Sequence, residues 1–293
     1  MRRRSRRRRI RHGKIFDTMR CVNRGMIMTE ADNEFDWEVY LERINLTGPI
    51  SVSEAGLTRL CRAQLFAIPF ENMDIQLGRK LDLHPRSLFH KIVLGRRGGY
   101  CFELNTLMRT ALLAFGFEAR SALARVRRRG EVTGRSHLIT LVRNRGRDFI
   151  LDVGFGASGL RAPMPLEPGY MTVQDGFHFR LIEDGGFGNL LQIEHQEGWQ
   201  DVYSFDTGIV TAADIQMSNH FTETHPHSTF VRFRVAHLPN PGGATSLLNH
   251  SLRLIQDGRE ELQNIEAGPE YMEMLKARFG ICLDANYEDF KAL

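Results

Sequence analysis

A single cysteine, Cys101, lies between a glycine pair and the start of a helical pattern, in the segment RRGGYCFELN. A thiol in the first turn of a helix meets the positive end of the helix dipole, which favours the nucleophilic thiolate. Gly98 and Gly99 would let the backbone approach a bound ligand closely, because glycine has no Cβ. Cys61 and Cys282 lie instead in apolar helical patterns that are typical of buried structural cysteines. Cys101 is therefore the candidate nucleophile.

A reactive thiol needs a base, and the base needs a carboxylate that orients it. The strands RSHLITLVRN and RDFILDV are joined by Arg145-Gly146, which indicates a β-hairpin whose facing residues have numbers that sum to 291. His137 and Asp152 then share one face as diagonal neighbours, roughly 7–8 Å apart at the backbone and within side-chain reach. A core histidine and a strand-end cap are the structural alternatives for the two residues taken singly. Hairpin register therefore predicts a triad of Cys101, His137 and Asp152.

The spacing of apolar residues in the elements that must hold the triad changes after Gly116. Before it, apolar residues recur at helical spacing, with Ser53 as an N-cap, Pro85 as a helix start and Gly95 as a C-cap. We expect a helical bundle over residues 26–116 that carries the candidate nucleophile.

After Gly116 the apolar period changes to two, and FHFRLI, NLLQIEH and WQDVYSF follow the hairpin. Residues 117–220 are thus expected to form an antiparallel meander that closes into a barrel or a sandwich. Residues 221–293 combine strands, among them TFVRFRVAHL from Thr229 to Leu238, with a helix over Pro269–Phe279. The pattern is that of an α+β protein.

The basic charge of the chain is confined to its first residues. The chain has 293 residues and a formal net charge of +4. Residues 1–25 hold eleven Arg and Lys and one Asp, a net charge of +10, so the remaining 268 residues carry −6. We expect residues 1–25 to be a disordered Arg-rich extension; a nucleic-acid or membrane arm and an organelle presequence are the alternatives.

Composition also limits the cellular setting and the chemistry. No apolar run approaches the ~18 residues of a membrane span, and the N-terminus lacks the apolar segment of a secretory signal. Four cysteines without an export signal indicate free thiols in the cytoplasm. His220, His225 and His227 are spaced irregularly around Pro226 and match no zinc pattern, so we predict no metal site.

Five segments together resemble the arylamine N-acetyltransferase family: RGGYCFELN, SHLITLV, LDVGFG, IPFENMD and THPHSTF, in their order and spacing. The resemblance runs from about Phe35 into the C-terminal region and does not cover residues 1–25. It implies an α+β fold with an N-terminal helical bundle, a central antiparallel β-barrel and a C-terminal α/β lid around a cysteine-protease-like catalytic core. The active site would lie between the bundle and the barrel.

The resemblance also implies an activity and the residues that perform it. Cys101 would accept an acetyl group from acetyl-CoA and pass it to an arylamine or aryl hydrazine, with His137 and Asp152 as the other catalytic residues. Acetyl-CoA is then a substrate, and no cofactor is bound. The family positions that line the acceptor pocket, and those that contact CoA in some members, correspond to Phe70, Phe155 and Phe230, and to Thr133 and Gly134.

Arg97 directly precedes the glycine pair, and we expect it to form an ion pair with Glu71 or Asp74. Such a pair would tie the bundle to the segment 96–100 before Cys101, which we call the catalytic loop. A solvated surface charge is the alternative.

Two other functions stay open at the level of sequence. A thiol hydrolase or transglutaminase-like enzyme would use the same triad and differ only in its acyl donor. A nucleic-acid-binding protein led by the Arg-rich arm would need basic residues on its body, which is net negative. The preferred amine, the acyl-chain preference and the oligomeric state are also left open.

Overall fold

The computed structural model describes residues 35–127 and 131–293. The predictions for residues 1–25, and for the part of the bundle before Phe35, lie outside these ranges. Residues 35–293 form one compact unit. Within the described residues, no helix is both long and apolar enough to cross a bilayer.

The N-terminal part is helical, as its periodicity predicts. Ser53 caps the second helix by accepting a hydrogen bond from the backbone N–H of Gly56 at 3.1 Å. The helix that begins at Pro85 widens into a π-helical turn before Gly95 caps it. In chain order the elements are α1 (Trp37–Arg43), α2 (Glu54–Ala67), a short strand β1 (Phe70–Glu71), α3 (Met73–Gln76), α4 (Pro85–Leu88), the π-helical turn (Phe89–Leu94) and α5 (Cys101–Ala114).

Eight antiparallel strands follow: β2 (Glu118–Val126), β3 (His137–Asn144), β4 (Arg147–Leu151), β5 (Met164–Pro165), β6 (Met171–Gln174), β7 (Phe177–Glu183), β8 (Asn189–His195) and β9 (Gly198–Phe205). They pair in the order β5-β4-β3-β2-β9-β8-β7-β6. In the β3–β4 hairpin Arg143 faces Asp148, which confirms the predicted register.

The side chain of Gln174 links the two edges of this sheet. Its Oε1 accepts hydrogen bonds from the backbone N–H groups of Arg161 at 2.7 Å and Ala162 at 3.0 Å, just before β5. The sheet is thus a nearly closed barrel rather than a sandwich, since one side chain replaces the ladder between its edge strands.

Strand β3 joins the bundle to the barrel, because both of its faces are buried. Leu138 and Val142 pack in the core of the helical bundle, whereas Ile139 and Leu141 pack in the core of the barrel. Successive side chains of a strand point to opposite faces, so one strand can belong to two cores. His137 stands at the start of this shared strand.

The C-terminal part is a second antiparallel sheet of five strands, in the order β1-β10-β11-β12-β13. The side chains of Leu247, Leu252 and Leu275 belong to the core between this sheet and the last helix. Its elements are α6 (Ala212–Thr224), α7 (Thr229–Arg232), β10 (Val235–Asn240), β11 (Gly243–Leu248), β12 (Ser251–Gln256), β13 (Arg259–Asn264) and α8 (Pro269–Phe279).

The strand predicted over Thr229–Leu238 is wrong in its first part, because residues 229–232 form α7. The alternation of apolar residues there suggested a strand, but no strand neighbour supplies the hydrogen bonds. Instead the side-chain amide of Asn72 donates to the carbonyl oxygens of Phe230 and Phe233, both at 2.8 Å. Gln76 also donates to the Phe230 carbonyl, at 2.7 Å. Side chains from α3 and its N-cap therefore satisfy this backbone.

Arg97 forms the predicted ion pairs with both carboxylates. Its guanidinium lies 2.8 Å from Glu71 and 3.1 Å from Asp74. Lys91 extends the network, at 2.6 Å from Asp74 and 2.7 Å from Glu103. Although burial alone would lower it, the neighbouring carboxylates raise the pKa of Arg97 above its ordinary value. The network fastens β1, the π-helical turn and α5 to one another beneath the catalytic loop.

We expect Arg97→Met to lower the free energy of unfolding by about 3 kcal/mol, because breaking a buried ion pair leaves a carboxylate without its partner. Urea denaturation would measure the change. Arg253→Met is the matched control, since its ion pair with Glu260 is about half exposed and should contribute little. Equal stability losses in the two variants would contradict a structural role for the buried network.

Candidate active site

Cys101 is the first residue of α5, and Tyr100 precedes it as the N-cap residue. The carboxylate of Glu103 accepts a hydrogen bond from the Tyr100 backbone N–H at 3.1 Å, which secures the first turn. Cys101 is almost fully enclosed, with 2% of its surface exposed. The helix start predicted at Cys101 is confirmed.

The glycine pair before Cys101 permits packing of the protein against itself. A Cβ on Gly98 would lie 2.1 Å from the carbonyl oxygen of Pro69, and one on Gly99 would lie 2.8 Å from the Glu103 side chain. The Gly99 carbonyl also accepts a hydrogen bond from the Glu71 backbone N–H at 2.9 Å. The expectation that the pair approaches a ligand is therefore wrong, because β1 and Glu103 occupy that space.

His137 begins β3, and Asp152 directly follows the end of β4. Nε2 of His137 lies 2.7 Å from Oδ2 of Asp152, and both residues are buried. Cys101 and His137 line the same cavity, and the Cys101 side chain is among the groups that raise the pKa of the imidazole. Because Nε2 is taken by Asp152, Nδ1 is the ring nitrogen left for the thiol. The structure thus brings the three side chains together in the order Cys101, His137, Asp152.

Asn105 holds the carboxylate of this triad in place. Its side-chain amide donates to Oδ1 of Asp152 at 3.0 Å and to the carbonyl oxygen of Leu138 at 2.7 Å. Its side-chain oxygen accepts from the Val153 backbone N–H at 3.1 Å. Sequence reasoning missed Asn105. The four-residue spacing from Cys101, which places both on one face of α5, is the signal that could have found it.

Electrostatics favour a charged imidazole. Although burial alone would lower it, the carboxylate of Asp152 and the side chain of Cys101 raise the pKa of His137 to about 10. Burial opposes the ionised form of Asp152 too, but His137 and the bonds from Asn105 and Gly154 hold its pKa below the usual value. His137 is therefore protonated at neutral pH. Its stabilising contribution is complete below the unfolded pKa of about 6.5 and is lost as pH rises through about 10.

Two aromatic rings enclose the imidazole on the barrel side. The ring centroid of His137 lies 5.0 Å from that of Phe155 and 5.3 Å from that of Tyr203. The Tyr203 hydroxyl is buried, and this burial together with the charge of Asp152 raises the pKa of that phenol. These contacts exclude water from the His137–Asp152 pair, which strengthens their interaction.

Gly154 lets the chain after Asp152 lie directly against α5. A Cβ at this position would be 2.8 Å from Cα of Cys101 and 2.8 Å from the Asn105 amide nitrogen. The Gly154 backbone N–H donates to Asp152 at 2.9 Å. The glycine that follows LDV is thus required by the close approach of the segment after β4 to the helix.

Cys101 and His137 line a cavity of about 1240 Å³. The structure also brings the predicted aromatic and CoA-contact positions to this cavity. A Cβ on Gly134 would have no heavy atom within 4 Å, so that position opens onto free space. The residues in question are Phe70, Phe155, Phe230, Thr133 and Gly134.

The three histidines considered as metal ligands are used in other ways. His225 stacks on Phe221 with ring centroids 4.3 Å apart, and its own centroid is 5.5 Å from that of His227. Across residues 35–127 and 131–293, no group of three or more potential ligands could hold a metal ion.

Comparison with known proteins gives consistent matches over most of the chain. The profile of the N-acetyltransferase family matches residues 55–287. The arylamine N-acetyltransferase / N-hydroxyarylamine O-acetyltransferase of Salmonella typhimurium is 36% identical over 219 residues, which cover 73% of this chain and 78% of that protein. The Escherichia coli arylamine N-acetyltransferase is 32% identical, with 84% of this chain and 88% of that protein covered.

Solved structures agree with the sequence relatives. The Salmonella typhimurium arylamine N-acetyltransferase superimposes with a TM-score of 0.80 at 32% identity, covering 87% of this chain and 92% of that one. The Mycobacterium marinum arylamine N-acetyltransferase, solved in complex with CoA, gives a TM-score of 0.79 at 32% identity. The match covers 84% of this chain and 93% of that one. The chain therefore belongs to the arylamine N-acetyltransferase family.

Proposed function

We propose that this acyltransferase moves the acetyl group of acetyl-CoA to arylamines and aryl hydrazines through an acetyl-cysteine intermediate on Cys101. The observation that carries the proposal is the buried 2.7 Å hydrogen bond between His137 and Asp152, in the wall of the cavity that Cys101 also lines. The CoA complex of the Mycobacterium marinum relative supports acetyl-CoA as the donor.

In the first half-reaction the Cys101 thiolate attacks the thioester carbonyl of acetyl-CoA. A bond forms between Sγ and the acetyl carbon, and the bond from that carbon to the CoA sulfur breaks. The departing CoA thiolate takes the proton that the His137 imidazolium holds. Backbone N–H groups in the first turn of α5, which have no carbonyl partner four residues back, stabilise the oxyanion.

In the second half-reaction the amine nitrogen attacks the acetyl carbon on Cys101. The carbon–sulfur bond breaks, and His137 takes a proton from the nitrogen as the amide forms. Asp152 keeps the imidazole in one orientation and stabilises its cation in both halves. The enzyme thus returns to its starting state.

Substrate contacts follow from the lining of the cavity. Phe70, Phe155 and Phe230 would pack on the aryl ring of the acceptor, and the rings of Phe70 and Phe230 already lie 5.7 Å apart. Thr133 and Gly134 would contact CoA from the other part of the lining. The hydroxyl of Thr133 donates to the Val126 carbonyl at 2.9 Å, so its backbone and the open Gly134 would face the ligand.

The same proposal assigns roles to the parts of the chain. Residues 26–116 are assigned to the bundle with the catalytic cysteine, residues 117–220 to the barrel with the histidine and aspartate, and residues 221–293 to an α/β lid. The last barrel strand ends at Phe205, and α6 crosses the boundary at residue 220. A cysteine on a helix that faces a histidine on a barrel strand is the arrangement of a cysteine-protease-like core. The pairing of β1 with β10 supports the closeness of lid and bundle, because it joins Phe70 to His237.

Family membership favours a CoA thioester over the peptide donor of a thiol hydrolase or transglutaminase-like enzyme. We propose a cytoplasmic location, supported by the free thiols of Cys61, Cys101 and Cys282. No nucleic-acid or membrane partner is proposed, since residues 26–293 carry a formal net charge of −6. The Arg-rich arm on which the nucleic-acid alternative depends lies outside the described residues.

Acetyl-CoA alone should acetylate Cys101, because a ping-pong transferase stores the acyl group before the amine arrives. Peptide mass mapping after a short exposure would locate the label, and an added aryl hydrazine should remove it. Cys282→Ala is the matched control. The prediction that Cys282 is a buried helical cysteine is wrong, because it lies beyond the end of α8 and is exposed, and it has no triad. Label on another cysteine, or turnover by Cys101→Ala, would overturn the mechanism.

Asp152→Asn should lower kcat by about 10³–10⁴-fold, because an amide can hold the wrong imidazole tautomer and cannot stabilise the cation. Steady-state acetylation assays and circular dichroism would measure turnover and folding. Asp148→Asn, an exposed carboxylate on β4, is the control and should retain activity. Turnover within tenfold of the wild type in a folded Asp152→Asn variant would refute the assigned role.

A further inference from the structure

A second cavity adjoins the one that holds Cys101. It has a volume of about 780 Å³ and is lined by residues of the barrel and of the C-terminal sheet. Ala157, His237 and Ser246 line both cavities, so they stand at the boundary between the two.

A row of facing residues on the C-terminal sheet crosses this boundary. Phe70 on β1 faces His237 on β10, His237 faces Ser246 on β11, and Ser246 faces Arg253 on β12. Directly facing residues point to the same side of a sheet, and neighbouring strands lie about 4.8 Å apart. Phe70 belongs to the first cavity and Arg253 to the second. The row therefore leads from the catalytic cavity into the adjoining one.

His237 offers a free polar position in this row. It is buried, with 6% of its surface exposed, and its Nδ1 lies 2.8 Å from the Ser246 hydroxyl. Its Nε2 has no hydrogen-bond partner among the described residues. Burial, together with the charge of Arg161, lowers the pKa of His237 to about 4, so the ring is neutral at physiological pH.

The wall around this pair is apolar on the side of Cys101. Phe70, Val235, Leu248 and Phe230 line the cavity near β10 and β11. A polar atom in a cavity wall that has no protein partner favours a ligand that completes its hydrogen bond over one that does not. The His237–Ser246 pair is thus a point of polar recognition next to this apolar part of the cavity wall.

We propose that His237 and Ser246 bind a hydrogen-bonding substituent on the aryl ring of the acceptor, on the side of the ring away from its amine. This inference rests on the proposed function, because the amine must lie at the acetyl group on Cys101. With the ring packed on Phe70, the substituent reaches one strand spacing further, to His237. The second cavity leaves room for the substituent to extend.

Two acceptors of equal size test this assignment: 4-aminobenzyl alcohol, which carries a hydroxyl, and 4-ethylaniline, which carries a methyl group in its place. The measured quantity is the ratio of their kcat/KM values, in which the intrinsic reactivity of each amine cancels between enzyme variants. Ser246→Ala and His237→Phe should each lower the alcohol-to-ethyl ratio about three- to tenfold, the range of one neutral hydrogen bond.

Thr245→Val is the matched control, because Thr245 is the neighbour of Ser246 on β11 and faces Leu238 and Leu254 on the opposite side of the sheet. It should leave the ratio unchanged, and thermal melting of all variants would verify folding. A ratio within twofold of the wild type in both test variants, or an equal fall in Thr245→Val, would overturn the inference. A wild-type enzyme that acetylates neither amine would contradict the proposed function itself.

Discussion

The carboxylate of Asp152 is the interaction on which the rest of the site depends. It binds the imidazole of His137 on β3, the amide of Asn105 on α5 and the backbone N–H of Gly154. One buried anion thus joins the helix of the nucleophile to the strand of the base. Because a buried charge is costly unless its hydrogen bonds are complete, each of these partners is constrained by the others. The relative position of Cys101 and His137 follows from this requirement.

The surrounding fold keeps this arrangement closed to water and fixed in position. Strand β3 contributes side chains to both the bundle core and the barrel core, so His137 cannot move without disturbing two sets of packing. On the other side of Cys101, the ion network of Arg97, Glu71 and Lys91 fastens the catalytic loop to β1 and α5. Low polarity around Asp152 then strengthens its attraction for the imidazolium, so close packing of the fold supports the catalytic charge pair.

Much of the catalytic geometry could be predicted from sequence, because it depends on local rules. The Arg145-Gly146 turn set the hairpin register, and the register set the pairing of His137 with Asp152. Roles that depend on distant contacts could not be predicted in the same way. The role of Asn105 depends on contacts of α5 with Leu138 on β3 and with the segment after β4, which helical spacing alone does not reveal. The glycine pair before Cys101 was assigned to ligand approach although β1, a strand of two residues with no periodic signal, fills that space. For α7, an alternating pattern was misleading because Asn72 and Gln76 bind the carbonyls that a strand would have paired.

Asp152 holds His137 as an imidazolium at neutral pH, and this charge state can be measured. Nitrogen-15 NMR of the histidine-labelled protein tests it most directly, with His137→Gln used to assign the signals. We expect both ring nitrogens of His137 to remain in the imidazolium form at pH 8 and to titrate near pH 10, in line with the raised pKa of this residue. A neutral ring at pH 8, with a midpoint near the ordinary histidine value of about 6.5, would contradict it.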